Sequence, residues 1–345
     1  MNATTIQEKE LKQVNWRVKR KHRRLLLLFL SIISLILASV YGIISGSVSV
    51  SLQEFIALFS GNADPLTENI VWNLRLPRVV LGILVGACLA VSGGILQGVT
   101  RNPLADPGII GISAGGGLAA VITMLVFPAY SYLLPVAAFI GALSSALLIY
   151  VMAWKDGVSV FRMILAGVAV NALLGAITSG IMLLYSDSVQ SVLPWLSGGL
   201  NGKGWHEVRF FLPYAVIGLT AAMLLIRSAN ISLLGEDRGK LLGFHVERQR
   251  FYLILVAALL AGAAVSVAGL IGFVGLVVPH IIRLLIGGDY RFLHPLSALS
   301  GAALVVFADT GARSWFGAIE LPVGILMACI GAPFFLMLLR KGGLR

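Results

Sequence analysis

Few residues in this chain are placed for covalent chemistry. Gly111-Ile-Ser-Ala-Gly115 matches the Gly-x-Ser-x-Gly pattern of a hydrolase elbow, but that pattern exposes a nucleophile only between a strand and a helix. Here Ser113 opens a Gly-rich apolar run, where small residues serve close helix packing. His206-Glu207 begins like a zinc-protease helix and lacks the second His. The five histidines are scattered without ligand spacing. Cys88 and Cys329 both fall in apolar runs and read as buried free thiols. No Gly-x-x-x-x-Gly-Lys-Ser/Thr loop is present to cradle a nucleotide, so the chain shows no ATPase site of its own. His280, in Val277-Val-Pro-His-Ile-Ile-Arg283, reads as a buried polar anchor, with a proton relay as the sharper alternative. These residues predict a protein that is not an enzyme, with no catalytic and no metal-ligand set.

The remaining chemistry is recognition by charge. The chain is 58% hydrophobic and 12% charged, with a net charge of +11. A soluble domain of this length carries roughly 25% charged residues. Much of the positive charge lies in one tail, where Lys9, Lys12, Arg17, Lys19, Arg20, Lys21, Arg23 and Arg24 precede the first apolar run. Beside a membrane span such a tail is a cytoplasmic anchor, and nucleic-acid binding is not expected.

The elements that must position these charges are apolar runs. Ten spans are predicted, at 25–45, 78–99, 110–127, 132–153, 160–185, 207–227, 250–268, 270–286, 294–312 and 321–340. With the N-terminus inside, all but five of the 26 Lys and Arg residues fall on inner segments. The five are Arg75, Arg78, Lys203, Arg209 and Arg313, and an even span count also puts the C-terminus inside. The domain reading is a basic cytoplasmic tail, 1–24, followed by one membrane domain, 25–345.

The stretch from Arg75 to Gly117 organises the rest. Pro77 suits a helix start, and the run from Val79 to Gln97 has no charge and is lined by Gly82, Gly86, Gly93 and Gly94. Small residues at this density predict a helix packed inside a bundle. Arg101, Asn102, Pro103 and Pro107 end it. Ser51-Leu-Gln-Glu54 predicts a capping box on a short outer helix. Trp195 and Trp205 flank an outer loop as interfacial anchors. Gly86-Ala-Cys-Leu-Ala-Val-Ser-Gly93 is similar to Gly262-Ala-Ala-Val-Ser-Val-Ala-Gly269. The similarity fits two inverted halves, spans 2–5 and 7–10, as in many transporters, and equally fits chance likeness between Gly/Ala-rich helices. The longest inner loop after the tail, Arg227 to Arg250, holds Leu233-Leu-Gly-Glu-Asp-Arg-Gly-Lys-Leu-Leu-Gly243. Its acidic start, later Lys240 and leucine side predict a short amphipathic helix that lies on lipid or docks in a partner's groove.

Four motifs in order carry a resemblance. Leu74-Arg-Leu-Pro-Arg78, Asn102-Pro-Leu-Ala-Asp-Pro-Gly108, Gly272-Phe-Val-Gly-Leu-Val-Val-Pro-His280 and Glu320-Leu-Pro-Val-Gly324 resemble the FecCD-type permeases. These are membrane subunits of type II ABC importers for iron–siderophores, haem and vitamin B12. The resemblance implies an all-α polytopic fold of about ten spans in the bacterial cytoplasmic membrane, with both termini cytoplasmic. It implies a ferric-siderophore importer, with vitamin B12 or haem as the alternative. An ion-coupled secondary transporter is the rival of another class, and Asp309 near the outer end of span nine is its nearest intramembrane acid. The implied partners are two ATPase subunits that hydrolyse the ATP, a second permease (an identical copy or a paralogue), an extracytoplasmic binding protein and membrane lipid. No cofactor is implied on this chain, because the chelate hides its metal. By position, the resemblance assigns docking of the binding protein to Arg75, Arg78 and Arg313. It assigns a cytoplasmic gate to Asn102, Leu104, Ser159 and Val160, although the family carries a hydroxyl where Val160 stands. It assigns coupling to the ATPase to Gly235, Glu236, Asp237, Arg238, Gly239, Leu242 and Gly243.

Overall fold

The computed structural model describes residues 3–46, 50–60, 64–154, 159–241, 243–316 and 319–340. The described residues form helices joined by short turns, with no strand ladder among them. In chain order the helices are α1 (Ala3–Ile44), α2 (Leu52–Ser60), α3 (Pro65–Asn69), α4 (Leu76–Val99), α5 (Ile112–Val121), α6 (Leu134–Met152) and α7 (Val160–Leu184). They continue with α8 (Leu193–Leu196), α9 (Trp205–Leu224), α10 (Ile226–Ser232), α11 (Glu236–Leu241), α12 (Val246–Ala268), α13 (Val274–Ile286), α14 (Tyr290–Ser314) and α15 (Val323–Arg340).

Each of the ten apolar runs carries a helix. Seven are long and apolar enough to cross a bilayer, and Ile112–Val126, Val274–Ile286 and Val323–Met337 are shorter apolar helices. α1 joins the basic tail to the first apolar run as one helix. The capping box forms as predicted: Ser51 N–H donates to Glu54 Oε2 at 2.8 Å and Glu54 N–H to Ser51 Oγ at 3.2 Å.

One internal boundary differs from the sequence reading by several turns. The helix expected to start at Pro77 is already helical from Pro65, running through a π-helical turn at Ile70–Arg75 into α4. Asp64 starts it, its side chain accepting from Leu66 N–H at 3.3 Å. The wide turn explains how Pro77 is tolerated inside. Leu76 N–H reaches back five residues to Val71 O, and the bond that Pro77 cannot make is absorbed there.

α4 and α12 form the centre, with 83% and 78% of their apolar windows buried, against 17% for α1 and for α7. The glycines explain how the centre closes. A Cβ at Gly86 would strike Gly301 O of α14, and one at Gly93 would strike Gly275 O of α13. Backbones touch at both crossings, and any side chain would force them apart.

The neighbours repeat with the halves exchanged. α4 packs on α13 and α14, while α12 packs on α5 and α6. α5, α6 and α7 pack on one another, as do α13, α14 and α15. α5 and α13 both follow a residue in the left-handed region, Gly111 at φ 75° and Phe273 at φ 66°. This agrees with the reading of two related halves, spans 2–5 and 7–10.

Candidate functional site

At the end of the bundle that the charge pattern assigns to the outside, three arginines converge. The Arg78 guanidinium donates to Asp309 through Nε at 2.8 Å and Nη2 at 3.0 Å, and to Glu320 through Nη1 at 3.0 Å. Arg75 Nη1 donates to the carbonyls of Ile43 and Ile44, each at 2.7 Å. Arg313 donates to the Gly42 carbonyl and lies 4.0 Å from Asp309. The last carbonyls of a helix have no intrahelical partner and carry partial negative charge. Arg75 and Arg313 therefore cap the C-terminal end of α1, and Arg78 is held by two carboxylates. All three are buried, at 4%, 8% and 5% exposure.

The structure thus brings the three sequence-predicted arginines together at one end of the bundle, turned inward. They line one pocket of about 340 Å³ with Lys203 and Glu320. The sequence reading missed the internal partners. The available signal was that charges inside apolar runs are paired, and Asp309 was the acid nearest to Arg78's end of the bundle.

On the side predicted to face inward, α10 and α11 follow α9. Gly235 at φ 99° and Gly243 at φ 76° bracket α11, which carries Glu236, Asp237, Arg238 and Gly239. Such angles favour glycine strongly. A Cβ at Gly239 would press within 2.8 Å of Val246 Cγ2, so the missing side chain seats α11 against the start of α12. Arg238 is exposed and Leu241 is 86% exposed, so α11 presents an apolar residue outward. Leu242, the other residue predicted there, lies outside the described residues.

The predicted gate residues are all half-buried. Asn102 Oδ1 accepts from Leu104 N–H at 2.9 Å, which closes a turn directly after α4. Ser159 has extended backbone and precedes Val160, the first residue of α7. The loop between α4 and α5 is fastened to α7, since Asn171 Nδ2 donates to Gly108 O at 3.0 Å. In the same loop Asp106 Oδ1 accepts from Gly108 N–H at 2.8 Å.

Ser113 lies in the first turn of α5 and not between a strand and a helix, so no hydrolase elbow forms. Among the described residues no three His, Cys, Asp or Glu side chains gather as metal ligands would.

Comparison with known proteins decides the family. The profile of the FecCD transport family matches residues 31–341. The chain belongs to that family. It is 38% identical to the Fe(3+)-citrate import system permease protein YfmD of Bacillus subtilis, over 94% of this chain and 97% of that one. It is 41% identical to the hemin transport system permease protein HmuU of Yersinia pestis, over 93% and 97%. It is 46% identical to the cobalamin import system permease protein BtuC of Halobacterium salinarum, over 80% and 74%. Among solved structures, an inward-facing ABC transporter of metal-chelate type aligns with a TM-score of 0.83 and 30% identity, covering 91% of this chain and 98% of that one. This FecCD-family chain is an integral membrane transport permease, as its apolar helices require.

Proposed function

We propose that the chain is the permease subunit of an ABC importer that moves a ferric siderophore across the bacterial cytoplasmic membrane. The observation that carries the reading is the near full-length similarity to permeases named for ferric citrate and hemin, and the exposed Leu241 on the short helix α11 supports it. ATP hydrolysis belongs to two partner ATPase subunits, which would seat on α11 with Glu236, Asp237 and Arg238 at the contact. The chain itself needs no cofactor, because the chelate carries its own metal.

A second permease, identical or paralogous, would complete the pathway. The long exposed apolar side of α7, with Phe161, Leu165, Val168 and Leu173, supplies a face for that copy or for lipid. Asn102, Leu104, Ser159 and Val160 would form the inner gate, with both termini cytoplasmic. The extracytoplasmic binding protein would present acidic side chains to the pocket lined by Arg75, Arg78 and Arg313, where complementary charge steers and orients encounter.

One observation favours a second reading, cobalamin import: the 46% identity to a cobalamin permease. Uptake by a strain lacking the chain separates the two. Loss of labelled ferric-chelate uptake, restored by the chain, is expected. Loss of cobalamin uptake alone would install the second reading, and loss of neither would remove both.

A further inference from the structure

Where α4, α13 and α14 meet near their inner ends, polar side chains are buried without protein partners. Gln97 Oε1, both ring nitrogens of His280 and of His294, Arg283 Nε and Ser297 Oγ have none. These are seven of the twelve such atoms among the described residues. His280 is 3% exposed, His294 and Ser297 are fully buried, and Gln97 is 2% exposed.

Tyr290 marks the junction. Its hydroxyl donates to Gly94 O at 2.8 Å and accepts from Arg283 Nη2 at 3.3 Å, and its ring centroid lies 4.8 Å from that of His294. Gln97 stands one turn from Gly94, and its Nε2 donates to Leu276 O at 3.0 Å and Gly275 O at 3.3 Å. Pro279 explains the second contact, because it has no N–H to give the Gly275 carbonyl four residues back. His280 is one turn from both Leu276 and Arg283, and Ser297 is one turn from His294.

Leaving each such group unsatisfied costs about 1–3 kcal/mol, so the cluster is built around something. The inventory of hydrogen-bonding roles selects what. Arg283 Nε, Ser297 and one nitrogen of each neutral imidazole donate. Gln97 Oε1, Ser297 and the other nitrogen of each imidazole accept. Donors and acceptors are therefore equal in number. An anion would use the donors and strand the acceptors. A metal ion would use the lone pairs and meet the Arg283 charge. Water does both. We propose that Gln97, His280, Arg283, His294 and Ser297 enclose a small cluster of ordered water that joins α4, α13 and α14.

The test is X-ray radiolytic labelling of the full chain in nanodiscs, in ¹⁸O-water. Radicals formed from bound water mark only the side chains that touch it. His280 and His294 should be labelled clearly above Met163 and Phe211, which are at 1% and 0% exposure in the apolar core. His294→Phe should then lower labelling at His280, because the two share one cluster. Labelling of both histidines no higher than at Met163 and Phe211 would overturn the proposal. So would labelling of His280 untouched by His294→Phe. Labelling that falls on adding chloride or phosphate would assign the site to an anion, and labelling that rises on chelation would assign it to a metal; either overturns the water assignment.

Discussion

The two ends of the bundle handle buried polarity in opposite ways. At the end predicted to face outward, Arg78 is held by Asp309 and Glu320, and Arg75 and Arg313 donate to the last carbonyls of α1, with Arg313 Nε left without a hydrogen-bond partner. At the inner end, Gln97, His280, Arg283, His294 and Ser297 keep atoms without protein partners. The outer cluster is a clamp that fixes α1, α4 and α14 in one arrangement. Among the described residues the inner layer carries no ion pair of its own. This difference suits the proposed function, in which one face would present a fixed surface to a binding protein and the other would respond to an ATPase.

The comparison breaks most easily at Arg78. Arg78→Ala strips both hydrogen bonds from buried Asp309, leaving it only Arg313 at 4.0 Å, and is expected to cost about 3 kcal/mol, read as a large fall in the thermal midpoint in detergent. The double variant Arg78→Ala with Asp309→Ala should recover part of that loss. No recovery would mean that the pair is not a coupled unit. Arg75→Ala comes next. It uncaps the Ile43 and Ile44 carbonyls, and about 1.5–3 kcal/mol is expected for bonds from a charged donor. Limited proteolysis should then cut near the outer end of α1, and unchanged cleavage would argue against the cap.

The inner layer predicts small effects. Ser297→Ala removes a buried hydroxyl that makes no bond to protein, so stability should fall by only about 1 kcal/mol, less than for a bond from a charged donor. A loss as large as that of Arg75→Ala would place a direct protein bond there and erase the contrast. The smallest effect is at Asp289, in the turn between α13 and α14. Hydrogen bonding from Arg291 holds its carboxyl below the usual range, burial opposes this, and Arg24 adds to the lowering. A lowered folded value makes the contribution present above the unfolded value. It is lost as pH falls below about 4. Asp289→Asn should therefore lower stability slightly at neutral pH and converge with the parent below about pH 4, flattening the acid side of the profile, with salt weakening the difference because Arg291 is exposed.

Much of this was legible in the sequence, for physical reasons. Apolar length located every span, and the glycines of Val79–Gln97 announced a central helix whose backbone touches its neighbours, as Gly86 does Gly301. The reciprocal Ser51 and Glu54 cap needed only local spacing. Three features were not legible. The start at Pro65 depended on a π-helical turn, which no periodicity signals. The inward turn of Arg75 and Arg313 depended on α1 ending beside them, a contact across more than thirty positions in the chain for Arg75 and far more for Arg313. The polar layer around His280 depended on which sides of α4, α13 and α14 face one another. The sequence showed His280 without a visible acidic partner, and in the fold neither of its ring nitrogens has a protein partner.

The central claim is transport powered from outside the chain. The chain should be reconstituted in liposomes with its ATPase, a second permease and the binding protein, and accumulation of a labelled ferric siderophore followed. The account predicts accumulation that requires ATP on the ATPase side and fails when Glu236 and Asp237 are both changed to Lys. Accumulation driven by a proton or sodium gradient, with the ATPase absent, would contradict it.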